Sequence, residues 1–162
     1  MKCIILISAR KGVMTINNMA TQPIKNGNIS SGWGERTLHG VKEFHYGIDI
    51  TPTIDKNVYC AKDGKIVWID KAHRIYDKEK NTGSFGLVVY IEYNNDNWIG
   101  IYPHMDSINL NIQLGDNIKE GDKIGIVGNT GFSYGVHLHY QEQKRIIKWS
   151  EKREPKDIIE LY

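Results

Sequence analysis

Leu87-Val88-Val89-Tyr90-Ile91-Glu92-Tyr93, then Asn94-Asn95-Asp96, then Trp98-Ile99-Gly100-Ile101-Tyr102, is the stretch that decides the fold class. Its two apolar runs are rich in β-branched and aromatic residues, which suit a pleated, buried ladder. The Asn-Asn-Asp between them is turn chemistry. The same punctuation recurs on both sides. Residues 58–61 and 65–69 flank Asp63-Gly64, which predicts a hairpin. Glu120-Gly121-Asp122 turns the chain inside an apolar run from Ile118 to Val127. Gly128-Asn129-Thr130-Gly131 reads as a loop, 136–142 as a final strand, and 77–82 as an exposed polar loop. Helix signals are scarce. Pro155 ahead of Lys156-Asp157-Ile158-Ile159-Glu160-Leu161 predicts one or two terminal turns, with Pro at the first helical position. The expectation is a mainly β, antiparallel chain with little helix. It forms one domain over 26–162, behind a poorly ordered leader over 1–25.

Composition narrows the function classes. The chain has 162 residues, 40% hydrophobic and 25% charged, a globular mix with enough material for a core. A net charge of +2 gives no electrostatic footprint for nucleic acid. Two cysteines, Cys3 and Cys60, make no disulfide framework and read as free thiols. No run approaches the ~20 apolar residues of a membrane span. The opening run, Cys3-Ile4-Ile5-Leu6-Ile7, is short for a signal peptide. Arg10-Lys11 stands where a small-residue cleavage site belongs.

Four of the six histidines fall in three places that look like site chemistry. His45 and Asp49 are four residues apart around Gly47. In an extended strand that separation is about 13 Å, too far for two ligands of one ion, unless the chain bends at Gly47. His104 follows Tyr102-Pro103. His137 and His139 share one face of a strand, which sends Leu138 the other way, into the core. Imidazole nitrogen and carboxylate oxygen both ligate zinc. His39 and His73 lie in polar surroundings and read as ordinary surface residues.

Taken together, these motifs resemble the lysostaphin-type (LytM-type) zinc peptidoglycan endopeptidases, over about 31–142. The ordered set is Gly32-Trp33-Gly34-Glu35-Arg36, His45-Tyr46-Gly47-Ile48-Asp49-Ile50, Tyr102-Pro103-His104-Met105, Gly128-Asn129-Thr130-Gly131 and Gly135-Val136-His137-Leu138-His139-Tyr140. The resemblance implies an antiparallel β-sandwich with long loops around a metal groove. It implies that His45, Asp49 and His139 bind Zn2+ and that His104 and His137 are the catalytic pair, either of which suits the role of base. Arg36, Tyr102 and Tyr140 are candidate substrate contacts, with Arg36 alternatively fixing the loop before His45 and the tyrosines alternatively packed in the core. Val136, Met105 and Gln141 depart from the usual Pro, Leu and Glu, which bears on substrate preference. The implied substrate is the stem or cross-bridge peptide of bacterial peptidoglycan, met at the cell wall. Release by lysis, a holin or a phage virion fits the weak signal segment.

Three rivals are weighed against this. Asp70-Lys71-Ala72 is similar to a lipoylation turn, but a carrier has no use for the histidines. A catalytically inactive relative that binds cell wall or activates another hydrolase would usually lack metal ligands. A D-Ala-D-Ala carboxypeptidase would use the same centre on another bond.

Overall fold

The computed structural model describes residues 21–94 and 97–144 in full, together with the backbone of two short paired strands, β1 (Ile7–Ala9) and β2 (Gly12–Met14). Both lie within the segment expected as a leader. The expected terminal turns after Pro155, and Cys3, fall outside the described residues. Cys60 is a free, buried thiol whose pKa burial pushes up to about 12.

Eleven further strands follow: β3 (Asn28–Ser31), β4 (Gly34–Leu38), β5 (Val41–His45), β6 (Ile48–Thr51), β7 (Asn57–Tyr59), β8 (Gly64–Asp70), β9 (Leu87–Tyr93), β10 (Trp98–Ile108), β11 (Asn117–Ile118), β12 (Lys123–Val127) and β13 (Leu138–Lys144). The described residues contain no helix, and every ladder between named strands is antiparallel. β4 and β5 form a separate hairpin. The main sheet runs β11-β8-β9-β10-β13-β6-β3, and β12 and β7 branch from β10. Ile66, Val89, Ile91, Leu138 and Ile50 from the main path share one hydrophobic cluster with Val58, Ile124 and Val127 from the branch. Pro23 and Ile24, ahead of Asn26, are also buried.

The branch point positions the site. The first half of β10 pairs with β13, at Trp98↔Lys144 through Ile101↔Gln141. The second half pairs with β12, at Met105↔Val127 and onward. The switch falls at Pro103-His104, where the ladder with β9 also shifts register between Tyr102 and Met105. Pro103 has no N–H to give a ladder. His104 takes φ of 63°, the left-handed region. Together they make a bulge that re-aims one side chain.

The expected hairpin at Asp63-Gly64 does not form. β7 pairs with β12, and β8 pairs with β9 and β11. Gly64 is needed for close packing, since a Cβ there would lie 2.4 Å from the Glu92 carbonyl oxygen. The Asp63 carboxylate accepts from Lys119 Nζ and from the Glu120 amide, tying this corner to the 119–122 turn. The run over 87–93 is β9 as expected, whereas the last strand begins two residues later than the sequence suggests.

Candidate metal centre and its flanking histidines

His45 ends β5 and Asp49 lies in β6, with the chain bent at Tyr46-Gly47 between them. A Cβ on Gly47 would lie 2.5 Å from the Tyr140 carbonyl oxygen and 2.6 Å from His139 Nε2. Only glycine lets this bend press against β13. The β6–β13 ladder sets Asp49 directly opposite His139. As a result Asp49 Oδ1 lies 3.1 Å from His45 Nε2 and 3.1 Å from His139 Nδ1, and those two nitrogens are 2.9 Å apart.

The outward atoms of both rings show what the inward atoms offer. His45 Nδ1 is 2.6 Å from the Gly32 carbonyl oxygen, which can only accept, so the ring proton sits there and Nε2 carries a bare lone pair. His139 Nε2 is 3.2 Å from Gln141 Oε1. With a proton on that nitrogen, Nδ1 is bare as well. Two imidazole lone pairs and a carboxylate oxygen then converge on one gap. Donors about 2.0–2.1 Å from a tetrahedral ion lie about 3.3 Å apart, close to this triangle. The residues therefore fit a divalent cation, and among the described residues this trio is the metal-competent group.

Without a cation the gap needs a proton. Burial pushes the Asp49 pKa up, but hydrogen bonds from His139 and His45, with the charge on those rings, outweigh it and hold the carboxyl well below the usual range. Proton and metal thus compete for the same place. The second oxygen, Asp49 Oδ2, accepts from Arg36 at 2.9 Å. Arg36 in turn donates to Glu43 at 2.6 Å and Ser31 at 2.9 Å. The guanidinium is committed to this carboxylate and to the β4–β5 hairpin, which supports the fixing role over the substrate role.

His104 and His137 stand beside the triangle. Their ring centroids are 5.1 Å apart, and that of His104 is 6.2 Å from that of His139. Each ring is anchored by a main-chain carbonyl: His104 Nδ1 donates to Thr130 O at 2.8 Å, and His137 Nδ1 to Gly135 O at 2.9 Å. This leaves Nε2 of each as the working atom. His137 Nε2 lies 3.5 Å from Asp49 Oδ1. His104 is buried, and desolvation, followed by the neighbouring His137, lowers its pKa to about 4, so the ring is neutral near pH 7.

Five predicted residues are therefore brought together. Tyr102 and Tyr140 are not among them. They are 0% and 3% exposed, and their hydroxyls meet Tyr93 OH at 2.8 and 2.9 Å inside the core. They pack beneath the site and contact no substrate from there. The sequence reading missed the three carbonyls of Gly32, Thr130 and Gly135, because main-chain acceptors leave no side-chain signature. It also missed an aromatic series, exposed except for half-buried Tyr76, built around the segment before His137. Tyr76, Phe132, Tyr134 and His39 touch in succession, with centroids 5.3, 5.3 and 4.4 Å apart. The Phe132-Ser133-Tyr134 spacing was the available signal. His73 is held by Asp70 at 2.6 Å, an ordinary surface pair.

Residues 43–152 match Peptidase family M23, and the chain belongs to that family. It is 32% identical over 116 residues to the peptidoglycan DD-endopeptidase ShyA of Vibrio cholerae, covering 70% of this chain and 24% of that one. Among solved structures, it resembles the catalytic domain of the antimicrobial peptidase lysostaphin from Staphylococcus simulans. The TM-score is 0.61 at 27% identity, over 82% of this chain and 92% of that one. It also resembles the catalytic domain of the prophage-encoded M23 protein EnpA from Enterococcus faecalis. There the TM-score is 0.61 at 26% identity, over 78% and 88%. The chain spans about a quarter of the length of the first curated relatives it matches.

Proposed function

We propose that this chain is a zinc-dependent endopeptidase that hydrolyses peptide cross-links of bacterial peptidoglycan. The observation that carries the reading is the acceptor triangle, in which three lone pairs aim at one gap and two histidines with fixed tautomers stand beside it. His45, Asp49 and His139 would hold Zn2+, which when bound supplies a Lewis acid for the scissile carbonyl and makes water acidic enough to react near pH 7.

The chain's own groups do the proton work. His104, neutral and anchored through Nδ1, takes the proton of the attacking water at Nε2. That proton then passes through Nε2 of His137, anchored in the same way and bare at that atom, to the departing amine. Hydroxyl adds to the acyl carbon, the C–N bond breaks, and the products are a carboxylic acid and an amine. The exposed rings of Phe132 and Tyr134 give the substrate a surface beside the centre.

ShyA and lysostaphin support the substrate class, and the likeness to a prophage-encoded protein supports a phage-borne setting at the cell wall. The test is digestion of purified peptidoglycan of known cross-bridge type, followed by identification of the new amino termini. New termini within the cross-link, abolished by a chelator and restored by Zn2+, are expected. Loss of a terminal D-Ala alone would replace the endopeptidase reading by a carboxypeptidase. Zinc binding without any new terminus would make the chain an inactive relative.

A further inference from the structure

His139, Gln141 and Gln143 follow one another along one face of β13. Gln141 is 5% exposed, and its side chain has a polar neighbour at each end. Oε1 meets His139 Nε2 at 3.2 Å, and Nε2 donates to Gln143 Oε1 at 3.4 Å. A carboxamide, unlike a carboxylate, offers an acceptor at one end and a donor at the other.

We propose that Gln141 is a positioning residue that lets His139 exist in either tautomer. Gln141 thereby sets how tightly the centre holds its metal. This inference rests on the zinc reading above and extends it to a residue that touches no metal. In the orientation seen, Gln141 Oε1 faces a proton on His139 Nε2, and Nδ1 presents its lone pair to the gap. Turn the amide over and its N–H₂ faces a bare His139 Nε2. The ring proton then sits on Nδ1, 3.1 Å from Asp49 Oδ1, and satisfies that carboxylate with no cation. Gln143 is half-exposed and can turn with it. The Nδ1–H state puts one donor in the gap, facing Asp49 Oδ1 and His45 Nε2, so the buried centre folds before metal arrives with its acceptors turned to a proton.

A glutamate at this position can only accept. It would hold a proton on His139 Nε2, so that Nδ1 serves the metal whenever the gap is free of a competing proton. An apolar side chain would support neither state. Outer partners of ligating histidines are commonly worth 10–100-fold in metal affinity.

The experiment measures zinc affinity by competition with a chromogenic chelator, and the His139 tautomer by ring nitrogen chemical shifts in the metal-free protein. Gln141→Glu should bind zinc about tenfold tighter or more and show the proton on Nε2 without metal, whereas the parent protein populates the Nδ1–H form. Gln141→Leu should bind about 10–100-fold more weakly. Unchanged affinity in Gln141→Glu, or a metal-free tautomer identical to that of the parent, overturns the proposal. If Gln141→Leu fails to fold, the near-isosteric Gln141→Glu carries the test alone. Should the parent protein bind no zinc, the zinc reading fails, and the tautomer comparison still decides the role of Gln141.

Discussion

β13 carries two polar clusters on opposite faces, and they differ in how donors and acceptors balance. On the core face, the Ala61 amide donates to Tyr102 OH at 3.0 Å. The hydroxyls of Tyr102, Tyr93 and Tyr140 follow at 2.8 and 2.9 Å, and Tyr140 OH donates to the Glu142 carboxylate. Lys62 Nζ donates to the other Glu142 oxygen at 3.1 Å. With an N–H at one end and a carboxylate at the other, each hydroxyl accepts once and donates once. Burial raises the pKa of all three tyrosines, which keeps those donors in place. On the site face, His45, Asp49 and His139 in the metal-ready state present three acceptors to one gap and no donor. A buried cluster that balances is structure. One left short of positive charge is a place for a ligand.

That contrast can be broken from either side. His139→Ala should reduce bound zinc, measured by metal analysis, from about one per chain to none. It should lower kcat/KM by on the order of a thousandfold, with the fold kept. If metal and activity both persist, the triangle is not the centre. His104→Ala should keep zinc yet lower kcat by about 10²–10⁴-fold, which separates the base from the ligands. On the core face, Glu142→Ala should cost about 3 kcal/mol of stability by denaturant unfolding while zinc stoichiometry stays unchanged.

A pH series sharpens the comparison. The His104 pKa falls from 6.5 in the unfolded chain to about 4 in the fold, so the unfolded state binds more protons between these values. Stability of the metal-free protein should therefore be full above pH 6.5 and fall toward pH 4, with a contribution on the order of 3 kcal/mol from this ring. His104→Gln should flatten that slope. The smallest effect is expected from Tyr93→Phe, about 1–3 kcal/mol, because it removes the middle hydroxyl and leaves two partners to readjust. A loss of zinc in that variant would mean that the two faces are coupled.

The three proposed ligands were legible because each sits on regular or simply bent strand. His139 and Leu138 point to opposite faces by the period of two, and Gly47 signalled the bend between His45 and Asp49. The same period puts Tyr140 opposite His139, in the core, so its candidacy as a substrate contact ran against the pattern. Tyr102 misleads for a different reason. Two residues before His104, it would share that residue's face in a regular strand, but the Pro103-His104 bulge changes the alternation. Asp63-Gly64 carried a hairpin signature, yet its glycine answers to the crowding of Glu92, a contact far away in sequence. Anchors supplied by the main chain, and the branching of β10 into two ladders, arise only from tertiary pairing and leave no local mark.

The Pro103-His104 bulge also ties assembly to competence. One kink ends the pairing of β10 with β13 and begins its pairing with β12, and that same kink aims the His104 imidazole. A chain with only one of those ladders zipped would lack the bulge that presents His104, so closing both is what sets this imidazole beside the acceptor triangle.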